Sequence, residues 1–407
     1  MRTSGACVAR RIFIPCSSLA LTGLLLLSLT VAHAEWETRG NVTLQAQVFI
    51  EDPIHTADQS ENLSLSAESE FFLSFGDASS LTITPFVRID QHDKERTHFD
   101  FRELLYSFAG DDFEFKAGLG KVFWGVAESV NPVDVINQFD VVEGGGSDEK
   151  LGQPMINVQL SREWGDLDLY LLPGFRERTF AGEDGRPRLP PIINTEDALY
   201  ESSAGQSHVD TAFRYTRVLG DWDLGLHGFH GTARDPLFIA DQNTGELTPF
   251  YYQNNQVGID AQATLESWLL KAEAIYRSGD AIDDHAELVT GFEYSFYSIA
   301  ESNIDLGVVS EWLYDERGDD ASQPFQNDLL VGLRLALNDE QSTEALFGVI
   351  ADLDGGGQLL SLEASRRLGD SYRLTVDASI WNNAVHDPSL AAFRHEDFAQ
   401  IELSYFF

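Results

Sequence analysis

The residues best suited to chemistry lie in one stretch, Val122 to Gly152, which carries Trp124, Glu128, Asn131, Asp134, Asn137 and Asp140 at intervals of three or four. Carboxylates and carboxamides gathered at a narrow point filter ions by charge and by hydrogen bonding. Interleaved with them are Val126, Val130, Val133, Val135, Ile136 and Phe139, followed by an acidic Gly144-Gly145-Gly146 run. That is too much apolar surface for a loop tip in water, so the stretch is expected to fold inward and pack. Its polar residues are then candidates for a pore constriction, with Glu128, Asp134 and Asp140 the charges at the narrowest point. The plainer alternative is that Trp124 and Pro132 only fix the loop to a wall.

A second set of charges sits on the polar faces of alternating segments: Arg88, Lys116, Arg214, Arg334 and Arg373 with Glu273, Glu293, Glu311 and Asp377. On an inner wall such charges pair and keep a lumen hydrated, or set a transverse field. Catalytic readings are weaker. His208, His227, His230, His386 and His395 have acidic neighbours, but 66 Asp and Glu residues make that proximity an expected coincidence. We assign no catalytic residue, no metal site and no cofactor. Asp319-Asp320 and Asp352–Gly357 read as solvated acidic turns in preference to calcium loops.

The elements that must position these residues are strands. Arg2, Arg10 and Arg11, an apolar run from Leu19 to Val31, and Ala32-His33-Ala34 have the order of a secretory signal. Cleavage after Ala34 leaves 35–407 as one domain, and both cysteines, Cys7 and Cys16, go with the leader. Beyond it no apolar run approaches the ~18 residues of a helical span. Instead the chain alternates: Val42, Leu44, Ala46, Val48 and Ile50 against Thr43, Gln45 and Gln47; Val257, Ile259 and Ala261 against Gln256, Asp260 and Gln262. Segment 98–108 has no clean parity, and its facing stays open.

Connections alternate too. Tight turns are expected at Gly76-Asp77, Gly110-Asp111, Gly165-Asp166, Gly220-Asp221, Glu266-Ser267, Ser298–Ser302, Asn338–Gln341 and Gly369-Asp370. Longer connections fall at 51–61, 91–97, 122–152, 176–207, 233–252, 279–284, 316–325, 354–356 and 382–396. This predicts an all-β, transmembrane antiparallel up-and-down barrel of about 18 strands, 16 being the alternative, with both termini in the periplasm. The implied place is the bacterial outer membrane, among lipid and lipopolysaccharide. The implied role is a porin-like channel for passive diffusion of small solutes with a modest cation preference. A barrel enzyme of lipase or protease type, or a structural or adhesive barrel, is the alternative. A net charge of −39 argues against nucleic acid, whose phosphates need Lys and Arg.

Trp124-Gly125, Glu128-Ser129 and Asn131-Pro132-Val133-Asp134-Val135 resemble a W-G-x-x-E…N-P-x-D element of uncharacterised porin-like outer-membrane proteins of proteobacteria, as does Lys150–Pro154. The resemblance covers about 35 residues and implies the barrel but no cargo. Phe407 ends an alternating strand on an aromatic and resembles the signal read by the barrel assembly machinery; association as a homotrimer is left open. Deleting Phe407, or Phe407→Asp, should reduce heat-modifiable barrel in membrane fractions while synthesis continues. Normal assembly of both variants would refute that role.

Overall fold

The computed structural model describes residues 34–52, 59–144, 149–321, 323–384 and 390–407; the leader before Ala34 and His386 lie outside them. Among the described residues, eighteen strands form one antiparallel sheet, from Ala34–Phe49 to Phe398–Phe406. Each pairs with its neighbour in the chain, and the last returns to the first with Asn41 opposite Phe406 and Phe49 opposite Phe398. The sheet is therefore a closed up-and-down barrel, without a free edge. Three short strands, Leu199–Tyr200, Leu237–Ala240 and Leu247–Tyr251, form a separate sheet within the connections.

Burial is inverted relative to a water-soluble protein. Val257 and Ile259 are 55% and 57% exposed, while Gln256 and Asp260 on either side of them are 1% and 5% exposed. The first strand repeats this, with Leu44 and Val48 open and Gln45 and Gln47 buried. Apolar side chains pointing outward around a whole barrel form a lipid-facing belt. Trp36, Trp222, Trp268, Phe296, Trp312 and Tyr405 are exposed near strand ends, the position amphipathic rings take at a headgroup layer.

Several expectations need correction. The expected turn at Gly165-Asp166 is instead Glu163-Trp164, and both predicted turn residues belong to the strand Gly165–Pro173. The expected long connection 279–284 is a tight turn at Asp280-Ala281, because the alternation continues into Ile282–Phe296. The unclear parity of 98–108 has a physical cause. Thr84 faces Glu103 but the adjacent Pro85 faces Phe101, so Arg102 is an extra residue, a bulge that reverses the alternation. Arg102 is thereby turned inward and buried. The inner wall is also not polar throughout: Val289, Val309, Leu313 and Leu330 form a buried apolar cluster, at positions in register with inward-facing Glu273 and Glu311.

Ile259 sits mid-strand on the outer face. Arg at a bilayer midplane costs about 2–4 kcal/mol in a barrel, whereas an exposed substitution in a water-soluble protein usually stays within about 0.5 kcal/mol. Urea unfolding from lipid bilayers should show the larger loss for Ile259→Arg. A change near zero would contradict a lipid-facing belt.

Candidate functional site

The connection between Phe113–Gly120 and Gln153–Arg162 begins with a staple. Asn137 Oδ1 accepts the Val122 N–H at 2.8 Å, and its Nδ2 donates to the Gly120 and Leu151 carbonyls, both at 2.8 Å. Leaving strand, loop and returning strand are thus tied by one carboxamide. Beyond the staple, Trp124, Val133, Val135 and Ile136 pack with Met155, Leu172, Ala212, Phe229 and Ile275 of the barrel wall. Trp124 is followed by Gly125 at φ +153°, where a Cβ would lie 2.1 Å from Asn131 Oδ1. Glycine is required there for both reasons.

The distal end is held by two wall carboxylates on strands Trp268–Gly279 and Asp305–Asp315, six and eight places beyond the strand that begins the connection. Glu273 Oε1 accepts the Val126 and Ala127 N–H groups at 2.6 and 2.9 Å. Glu311 accepts the Glu128 and Ser129 N–H groups at 2.8 and 2.9 Å and the Ser129 hydroxyl at 2.7 Å. Four consecutive backbone donors of an irregular segment are satisfied in this way. Donation to a carboxylate is charge-assisted, which offsets the cost of burying Glu273 and Glu311. Ala127 and Val130 meanwhile rest on the Val289–Leu330 cluster. The connection is a shelf across the interior, fixed at both ends.

The six candidate constriction residues occupy different environments. Trp124 is 3% exposed, edge-on to Tyr170 with ring centroids 5.8 Å apart, and lies under the Arg214 guanidinium. Asp134 pairs with Lys150; burial pushes its carboxyl above the ordinary carboxylate range, while the Lys150 ammonium pulls it back. Asp140 is fully buried between Arg102 Nη1 at 2.5 Å and Thr179 Oγ1 at 2.6 Å. With Asn137 in its staple, four of the six are buried within the protein. Asn131 is half-buried with an unpartnered Oδ1. Glu128 remains open, its side chain 25% exposed, 2.7 Å from Arg334 and 3.6 Å from Lys271.

The wall charges divide similarly. Arg334 also reaches Glu293 at 3.5 Å, so Glu128, Arg334, Lys271 and Glu293 form one cluster at the shelf edge. Arg214 pairs with Asp260 at 2.8 Å, and Arg88 with Glu143 at 2.7 Å. Lys116 pairs with Glu114 at 3.0 Å and lines a cavity of about 390 Å³ with Asp168, Asn157, Gln159 and Phe123. Asp377 and Arg373 stand on Tyr372–Asn382, away from the shelf, with Gln400 Nε2 3.3 Å from Asp377. Phe407 exchanges backbone hydrogen bonds with Gly40 at 3.0 and 3.1 Å.

Sequence reasoning placed Glu273 and Glu311 on the inner wall without seeing that they would capture a loop. It missed Arg102, whose bulge breaks the parity, and Lys150. Of the histidines, His227 is buried against Gln256 Nε2 at 3.1 Å, His230 meets Asn255 at 2.9 Å, and His208 meets Asp210 at 2.7 Å. Asp210 is itself fully buried and bound by Arg234. Asp352 accepts the Asp354 and Gly355 N–H groups, closing its acidic turn on itself.

Glu311→Ala would strip two backbone donors of their acceptor. Each buried donor left unpaired costs about 1–3 kcal/mol, so unfolding should become easier by about 3 kcal/mol. Glu311→Gln, which keeps an acceptor, should lose less. Urea titration of the folded barrel measures both, and wild-type stability in Glu311→Ala would contradict the tether.

No family model and no curated protein matches this chain. Solved barrels do. A BenF-like porin from Pseudomonas fluorescens Pf-5 superposes with a TM-score of 0.55 over 92% of this chain and 98% of its own, at 10% identity. Wzi of Escherichia coli, described as a carbohydrate-binding β-barrel of the outer membrane involved in capsule assembly, gives 0.52 over 89% and 83%, also at 10% identity. A Rh. blastica porin variant gives 0.45 at 9% identity over 92% and 100%. At these identities the likeness is one of fold: the chain is built as a closed antiparallel β-barrel of the kind seen in the BenF-like porin.

Proposed function

We propose that this barrel is an outer-membrane channel for passive diffusion of small solutes with a modest preference for cations. The observation that supports this reading is the shelf, an inner connection that Glu273 and Glu311 tether across the barrel interior; in this reading it narrows the lumen without filling it. A cylinder of 16–18 strands has room for an aqueous path. The wall away from the shelf supports the cation preference. Its partly exposed inward positions include Glu68, Glu70, Asp377 and Glu402, and inward Asp and Glu favour cations.

In this reading Glu128 is the charge of the shelf that a solute meets, tempered by Arg334 and Lys271. Trp124, Asn131, Asp134, Asn137 and Asp140 narrow the path by building the shelf, while Arg88, Lys116, Arg214, Glu293 and Glu311 brace it or the wall. The leader is removed after Ala34, and the short turns and both termini face the periplasm. Lipid and lipopolysaccharide surround the belt, and Phe407 serves the assembly machinery. The W-G-x-x-E…N-P-x-D element would then be the mark of a family that shares this shelf. A second reading, a barrel that binds a sugar as Wzi is said to do, draws on the cavity at Lys116, Asp168, Asn157 and Gln159.

Glu128→Gln removes the shelf's open negative charge and leaves Arg334 and Lys271 in excess. Reversal potentials across a salt gradient should show a lower cation-to-anion permeability ratio than wild type. An open channel with an unchanged ratio would contradict the role of Glu128, and a closed wild type that retains sugars would favour the binding reading.

A further inference from the structure

The connection between Gly165–Pro173 and Val209–Leu219 joins adjacent strands, seventh and eighth around the barrel, yet several of its contacts lie well beyond both. Arg176 Nη2 is 2.9 Å from Asp100, Thr179 Oγ1 donates to Asp140, and the Gly182 N–H donates to Asp93. Arg186 then reaches the connections on either side of the barrel's closure. Its Nε donates to Glu396 Oε2 at 3.0 Å, its Nη1 to the Gln59 carbonyl at 3.1 Å and its Nη2 to the His395 carbonyl. The guanidinium lies 4.1 Å from the centre of the Phe49 ring. Arg186 and Glu396 are 1% and 3% exposed at their side chains.

Six residues later the chain is elsewhere. The Leu247 N–H donates to the Ile192 carbonyl and the Asn194 N–H to the Leu247 carbonyl, both at 2.8 Å. Leu247 belongs to the connection between the ninth and tenth strands, which springs from the opposite half of the rim. Six residues extend at most about 20 Å. The two anchors therefore lie within that reach of each other, and the segment between them is a strap that joins connections springing from opposite halves of the rim.

We infer that residues 176–194 form an outer size filter in series with the shelf, and that Arg186, latched to Glu396, is the positioning residue that sets the largest solute admitted. The inference rests on the channel reading. The Arg186 guanidinium gathers Glu396 and the Gln59 and His395 carbonyls at one point, and breaking a buried ion pair is strongly destabilising, so losing either member should loosen this end of the strap. The opposite anchor is made of backbone hydrogen bonds and would stay. Thr179 would keep its bond to Asp140, and neither substitution touches Glu128 or its partners Arg334 and Lys271, so size selection should change without ion selection.

Proteoliposome swelling with mono-, di- and trisaccharides, alongside reversal potentials, tests this on the full barrel with Arg186→Ala, Glu396→Gln and the double variant. We expect each single variant to admit the trisaccharide severalfold faster than wild type. The monosaccharide rate should change little, the double variant should be no faster than either single one, and the cation-to-anion ratio should be retained. Glu396→Gln preserves side-chain volume and carries the test if Arg186→Ala does not assemble. Assembled variants with the wild-type size profile overturn the latch. Conduction by the variants from a closed wild type supports the latch and replaces the open-channel reading, whereas impermeability of all of them overturns both.

Discussion

A backbone N–H or C=O at membrane depth must find a partner within the protein, because hydrocarbon offers none. In this chain the constraint acts twice. It closes eighteen strands into a barrel through the pairing of Ala34–Phe49 with Phe398–Phe406. It then governs the shelf, an irregular segment inside that barrel whose N–H groups have no ladder to join. Glu273 and Glu311 supply the missing acceptors for four of them. A charged lumen wall thus has a structural use before it has an electrostatic one.

Those carboxylates reconcile two demands. The shelf must be apolar enough to pack, which Val133 and Ile136 achieve at zero exposure, yet it crosses a wall whose alternation places polar residues at many of the inward positions. The solution is mixed. Ala127 and Val130 meet an apolar patch on the wall, and the backbone beside them meets carboxylates. Charge left over at the edge collects in Glu128, Arg334, Lys271 and Glu293. Outside the shelf, buried pairs such as Arg186 with Glu396 and Arg178 with Asp235 tie one connection to another.

Much of the barrel was legible because period-two alternation is local: Gln45, Gln47 and Asp260 are buried where their parity put them. Parity failed where a single residue changed the count, as Arg102 does, and turn positions drifted where Gly165 proved to open a strand. The interior was harder. Counting apolar residues pointed to a packed 122–152 segment, but spacing alone could not distinguish a side chain facing water from one facing protein. Asn137 and Asp140 look like pore-lining polar residues in the sequence, and both are buried in hydrogen bonds to other parts of the protein. Their partners, Val122, Thr179 and Arg102, are set by long-range contacts that no local pattern encodes. Glu273 and Glu311 were visible as inward acids, but their catching of a loop about 150 residues or more earlier in the chain was not.

The central claim is that a tethered shelf narrows a conducting barrel, and single-channel recording in planar bilayers tests it most directly. Wild type should open stepwise with a small ohmic conductance. A Glu273→Gln, Glu311→Gln double variant that still assembles should conduct more, because the charge-assisted grip on residues 126–129 is weakened. A wild-type barrel that never conducts, or a double variant with unchanged conductance, would contradict the account.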